Sequence, residues 1–179
     1  MPVVALVVCG APLTRRTGDM IGELDTGGWE VRLVATPAAR AWIGLDETSS
    51  LRGVVPRFDF VSPEHPRSTA DPDVVAVCPA TFSTLNKVAA GVADNYATSL
   101  VCEMLGMRNP VVVAPMVNHK LWGHPALSSS VIALRGAGVR FLDVQTGEPG
   151  LSPVQSGSGD EVVSGFQPSW LLAAVRSIG

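Results

Sequence analysis

The chain has 179 residues, long enough for one domain with a full-sized core, and 46% of them are hydrophobic. A net charge of −3, with no Lys/Arg cluster interleaved with aromatics, excludes a nucleic-acid footprint. No apolar run approaches the roughly 20 residues needed to cross a bilayer, and a charged fraction of 16%, low against an average of about 25%, points to surface buried in an oligomer.

Val3–Cys9 is a continuous apolar run, the pattern of a strand buried on both faces. It lacks the cationic flank and the length of a signal peptide. Gly10-Ala11-Pro12 turns the chain, and Thr14 opens a predicted helix to about Leu24 that Gly27-Gly28 ends. Trp29–Ala35 reads as a second strand, followed by the turn Thr36-Pro37-Ala38-Ala39 and a short helix to about Leu45. Arg57–Val61 is a weak third strand and Val74–Cys78 a clear fourth. Thr84–Gly91 and Tyr96–Leu105 read as helices, divided near Asp94-Asn95. Pro110–Ala114 is a fifth strand, Pro125–Ala137 a helix and Val139–Leu142 a sixth strand. Gln145–Gly165 is rich in Gly, Ser and Pro and reads as one surface loop of roughly twenty residues, a length typical of functional lids. Gln167–Ile178 closes the chain as a helix. Strands alternating with helices predict a single α/β domain over residues 1–179, a Rossmann-like or flavodoxin-like three-layer sandwich on a mostly parallel sheet of about six strands.

Ligands of such sheets bind beyond the carboxyl ends of the strands, where loops lead into helix N-termini. The loop Pro79-Ala80-Thr81-Phe82-Ser83-Thr84 stands at such a place, and its hydroxyls and free N–H groups suit a phosphate or the polar edge of a flavin. An ordinary Ser/Thr helix cap accounts for the same pattern. After the fifth strand comes Pro115-Met116-Val117-Asn118-His119-Lys120-Leu121-Trp122. Asn118 carries both a donor and an acceptor, which suits recognition of a carboxylate or amide, and Trp122 can pack on a cofactor or seal a neighbouring subunit. A capping Asn and a core Trp fit the segment equally well. His65, before the strand that leads to the hydroxyl loop, can fold back as an acid/base; a solvated loop histidine is the plainer reading. There is no GxGxxG, Walker A or GxSxG motif in a suitable place, and no spacing that suggests a metal. Cys9, Cys78 and Cys102 read as reduced, buried thiols of a cytoplasmic protein.

These constellations, in this order, resemble the homo-oligomeric flavin-containing cysteine decarboxylases, which include phosphopantothenoylcysteine decarboxylases and peptidyl-cysteine decarboxylases. Pro79–Thr84 stands for the family's Pro-x-Ser-Ala-Asn-Thr loop, with Lys87, Gly91 and Asp94-Asn95 following it. Pro115–Trp122 stands for Pro-x-Met-Asn-x-x-Met-Trp, and His65 keeps the spacing of the active-site histidine. The resemblance implies FMN, with FAD as an alternative, held by Pro79–Thr84 and Met116, and trimers or dodecamers with the flavin between subunits. Its phosphate would be met in the turns Gly10 to Thr14 (Gly10, Ala11, Pro12, Thr14) and Thr36 to Ala39 (Thr36, Ala39). It implies a substrate ending in cysteine, bound by Asn118 and Trp122, with His65 and Asn118 catalytic and residues 143–166 as a lid. The chain departs from the pattern at Thr81-Phe82-Ser83, at Val117 and in a lid segment without cysteine. A flavin-binding oxidoreductase without this activity and a flavin prenyltransferase-like enzyme are the competing expectations.

Overall fold

The most apolar runs of the sequence become parallel strands. The computed structural model describes residues 1–43, 51–62, 64 and 71–178. Among these, β1 (Val3–Val8), β2 (Glu30–Ala35), β3 (Val74–Ala80), β4 (Val111–Pro115) and β5 (Arg140–Phe141) form one sheet in the order β2-β1-β3-β4-β5. Every pairing is parallel, for example Val4 opposite Val74 and Val75 opposite Val111. All of β3 and β4 is buried, which is why both read as unbroken runs of Val, Ala, Cys and Pro.

Alternation along β1 builds two cores, because successive strand side chains leave opposite faces. Val4, Leu6 and Val8 join Met20 and Leu24 of α1 (Thr17–Thr26) and Leu171 and Val175 of α7 (Pro168–Arg176). Ala5, Val7 and Cys9 join Leu85 of α2 (Phe82–Ala89), Val101 of α3 (Tyr96–Gly106) and Leu134 of α5 (Pro125–Gly136). Each fully buried aliphatic side chain of this kind contributes about 1.5–3 kcal/mol. Two further helices, α4 (His119–Trp122) and α6 (Gly159–Gly165), sit at the carboxyl end of the sheet.

Four expectations about local elements need correction. The weak third strand at Arg57–Val61 is one parallel bridge, Val34 to Arg57, which leaves five strands in the described sheet, close to the expected count. Beyond Arg57 the chain leaves the sheet: Phe58 lies under the Arg40 guanidinium, and the Phe60 ring meets Tyr96 edge-on at 5.5 Å. The predicted helix from Thr14 begins as a 3-10 turn, Pro12–Arg16, and becomes α-helical at Thr17. Gln145–Gly165 is not one irregular loop. It contains α6 and is pinned inward by buried Val154 and Val162. The short helix after Thr36 is a 3-10 turn, Pro37–Ala41, and its predicted end at Leu45 lies outside the described residues.

Candidate functional site

The carboxyl ends of β1, β2, β3 and β4 open onto one cleft of about 920 Å³. This is the place the strand order dictates, since the connections leaving β1 and β3 diverge there. One wall comes from the first two turns, through Gly10, Ala11 and Pro12 and through Thr36 and Ala38. These turns touch: a Cβ on Gly10 would lie 2.9 Å from both the Cβ and the carbonyl oxygen of Ala38, so only glycine permits the approach. The Gly10 N–H has no acceptor among the described residues. Thr36 is buried, and its Oγ1 is a buried polar atom without a hydrogen-bond partner. Buried hydroxyls are normally satisfied, so Thr36 is the residue of this wall that could take a polar group.

The second wall is the start of α2. Thr81 caps the helix, its Oγ1 accepting the Thr84 N–H at 3.4 Å and donating to the Thr84 hydroxyl at 3.2 Å. The Phe82 and Ser83 N–H groups stand in the first turn, without intrahelical acceptors, and border the cleft. Capping is thus confined to one residue of the loop: Thr81 serves the helix, and Ser83, exposed, lines the cleft. Beneath lies Cys9, which meets the Thr84 side chain and Thr81 backbone; burial pushes its thiol up from the usual range and keeps it protonated. The rim of this wall is a tied network. Lys87 Nζ donates to Asp94 at 2.6 Å, holding that carboxyl below its ordinary range, and Asn95 donates to Asp94 while capping α3.

The third wall follows β4. Met116 and Val117 supply apolar surface, and Asn118 caps α4. Its Oδ1 accepts from the Lys120 and Leu121 N–H groups at 3.1 and 3.0 Å. That fixes the amide: the acceptor end is spent on the helix, and the Nδ2 donor end is left for the cleft that Asn118 lines. Facing it is the segment Val154–Asp160. Val154 is bridged to Asn118, donating to Val117 O and accepting from the His119 N–H. Gly159 and Asp160 of α6 meet the Pro12 side, where Arg15 pairs with Asp160 and Arg16 donates to Val163 O at 2.8 Å.

The flavoprotein family profile matches residues 2–162. The chain belongs to the flavoprotein family. This flavoprotein is 30% identical over 156 residues to the coenzyme A biosynthesis bifunctional protein CoaBC of Mycolicibacterium smegmatis, covering 85% of its own length and 36% of the relative's. It therefore spans little more than a third of that protein. The structure of SpaF, described as an FMN-dependent cysteine decarboxylase, superposes on the flavoprotein with a TM-score of 0.69 at 27% identity, covering 97% of each chain. A cysteine-to-serine mutant of PPC decarboxylase superposes with a TM-score of 0.74 at 22% identity, covering 99% of this chain and 97% of that one.

Of the residues nominated from sequence, the flavoprotein brings Gly10, Ala11, Pro12, Thr36, Thr81, Phe82, Ser83, Thr84, Met116 and Asn118 to the cleft. Others support it from behind. The Thr14 hydroxyl is buried against the Cys9 carbonyl, Ala39 is buried with its N–H on Thr36 O, and Pro79 and Ala80 lie in β3. Trp122 is half-buried against the core beside α2 and α5 and does not line the cleft. His65 lies outside the described residues. The segment Val154–Asp160 was not nominated residue by residue; its only local signal is the composition of the predicted loop. Among the described residues, no three His, Cys, Asp or Glu side chains gather as a metal site, and no helix is long and apolar enough to cross a membrane.

Proposed function

We propose that this flavoprotein binds FMN in the cleft and oxidatively decarboxylates a cysteine at the end of a peptide or cysteine conjugate, releasing an enethiol. The observation that carries this reading is the meeting of four elements in one cleft: the two phosphate-type turns, the start of α2, and the Nδ2 end of Asn118. The residues present fit the cofactor. The unpartnered Thr36 Oγ1 and the Gly10 N–H suit its phosphate or sugar chain, the Phe82 and Ser83 N–H groups suit the polar edge of its ring, and Met116 and Val117 suit its apolar body. Bound FMN supplies a two-electron acceptor for the thiol-bearing carbon, and from the resulting thioaldehyde carbon dioxide leaves readily because the thiocarbonyl takes the electron pair.

The protein's share is placement. Asn118 Nδ2 donates to the substrate carboxylate, which departs as carbon dioxide. His65 is assigned the acid/base role from its motif spacing, and histidine suits that work near neutral pH. Residues 143–166 cover the substrate. The assembly is a homo-oligomer, a trimer or dodecamer, supported by the exposed Phe60 and Val92 close to the Asn95 edge of the cleft. Three free thiols, two of them buried, support a cytoplasmic setting.

The deciding experiment adds a cysteine-ended peptide anaerobically to FMN-loaded protein. Bleaching of the flavin with loss of carbon dioxide from the peptide is expected. A flavin that stays oxidised overturns the substrate, and a protein that cannot be loaded with FMN overturns the cofactor. Thr81-Phe82-Ser83 and a lid segment without cysteine favour one second reading, a flavin-binding oxidoreductase with another substrate. His65→Asn is expected to keep FMN and abolish turnover; retained turnover removes His65 from the mechanism.

A further inference from the structure

The Val154–Asp160 segment reaches the cleft through a tight turn whose closing bond leaves the N–H groups of its two central residues unspent. Ser158 N–H returns to the Gln155 carbonyl at 3.1 Å, closing a β-turn with Ser156 and Gly157 at its centre. Gly157 has a φ of +93°, as a type II turn requires of its third residue. In such a turn the N–H of the second residue takes no part in the closing bond. Here that N–H belongs to Ser156, and it donates to His119 Nδ1 at 3.0 Å. His119 follows Asn118 directly, and its own N–H binds the Val154 carbonyl at 2.8 Å. One residue therefore holds the segment twice, by its backbone at Val154 and by its side chain at Ser156. Both Asn118 and the turn residues Gln155, Ser156 and Gly157 line the cleft.

Resting on the proposed cysteine-substrate reading, we infer that His119 is a positioning residue: it pins the Gln155–Ser158 turn in the cleft wall beside Asn118 and so sets the affinity for substrate without entering the chemistry. The role needs an acceptor at the Nδ1 position and nothing else from the imidazole. Asparagine can present Oδ1 at that place; alanine cannot.

The test compares His119→Ala and His119→Asn with the wild type, all loaded with FMN. Amide hydrogen exchange is read at Ser156, and KM and kcat are read for a cysteine-ended peptide. Loss of one ordinary hydrogen bond corresponds to about five-fold. The expectation is that His119→Ala speeds Ser156 exchange about five-fold and raises KM by a similar factor, with kcat kept, while His119→Asn restores both. Unchanged Ser156 exchange in His119→Ala overturns the pin. Faster exchange with an unchanged KM, or a fall in kcat alone, overturns its link to substrate affinity. Failure of His119→Asn to restore either readout overturns the acceptor role. Should the wild type turn over no cysteine-ended substrate, the functional reading fails on its own account. The exchange arm then decides the pin, upheld by a loss of protection that Asn reverses and overturned by protection that does not change.

Discussion

Thr36→Val separates the needs of the cofactor from those of the fold, because the two should move in opposite directions. The substitution replaces Oγ1 with a methyl group and leaves the β-branched shape of the side chain. In the free protein that oxygen is buried without a partner, a state that costs about 1–3 kcal/mol. Thr36 makes no side-chain cap bond to the turn it opens, so no compensating interaction is lost. With about 2–4 °C per kcal/mol for a chain of this size, the ligand-free protein should melt about 2–12 °C higher. If the oxygen instead serves a charged part of FMN, its loss removes about 1.5–3 kcal/mol of binding, or about ten- to hundred-fold in Kd. Thermal denaturation of flavin-free protein and titration by quenching of FMN fluorescence read the two effects separately. A lower melting temperature with unchanged FMN affinity would refute the argument, since Oγ1 would then be serving the fold.

Asn118→Asp keeps acceptor oxygens for the Lys120 and Leu121 N–H groups but removes the Nδ2 donor. Its melting temperature should stay close to wild type while KM for a cysteine-ended peptide rises about ten-fold or more; equal KM values would remove the carboxylate contact. Gly10→Ala forces a Cβ within 2.9 Å of Ala38 Cβ and O. Both stability and FMN retention should therefore fall, as measured by melting and by flavin absorbance after gel filtration. Lys87 holds the Asp94 carboxyl low, so their pair adds stability above the unfolded-state pKa of that carboxyl and loses it as pH falls through the lower, folded value. Lys87→Met should flatten that acid limb in urea midpoints taken between about pH 6 and pH 3. Leu6→Ala, in the fully buried centre of β1, should cost about 2–5 kcal/mol by urea denaturation.

The strands β1, β3 and β4 could be read from sequence because burial on both faces demands unbroken apolar runs, and those runs are visible locally. Arg57–Val61 has no such demand on it, and its single bridge to Val34 depends on what neighbours it. The helix α6 was invisible for a related reason. Glycine stands at both its ends, and only Val162 in it is buried. It is held in place by Arg15 and Arg16, side chains far away in sequence. Within the site, a turn can be nominated from composition, but which of its residues face the ligand cannot. Thr36 turns to the cleft and Ala39, in the same turn, to the core. Asn118 illustrates the remaining ambiguity. The capping and ligand-binding readings were alternatives on paper, and the amide does the first with Oδ1 while Nδ2 stays available for the second.

The clamp between Arg15 and Asp160 joins residues 145 positions apart. On a ribosome, the first turn emerges long before the helix that completes its wall. A nascent chain can assemble β1 to β4 and the half of the hydrophobic interior that α2, α3 and α5 cover, while the half that α7 completes and the ligand chamber both still lack a side. Cofactor loading is thereby tied to the end of synthesis, and a product cut short before α6 would carry most of the sheet yet have an open chamber. Flavin colour in cells would then count finished molecules, whereas an antibody to the amino-terminal half would count finished and unfinished ones alike.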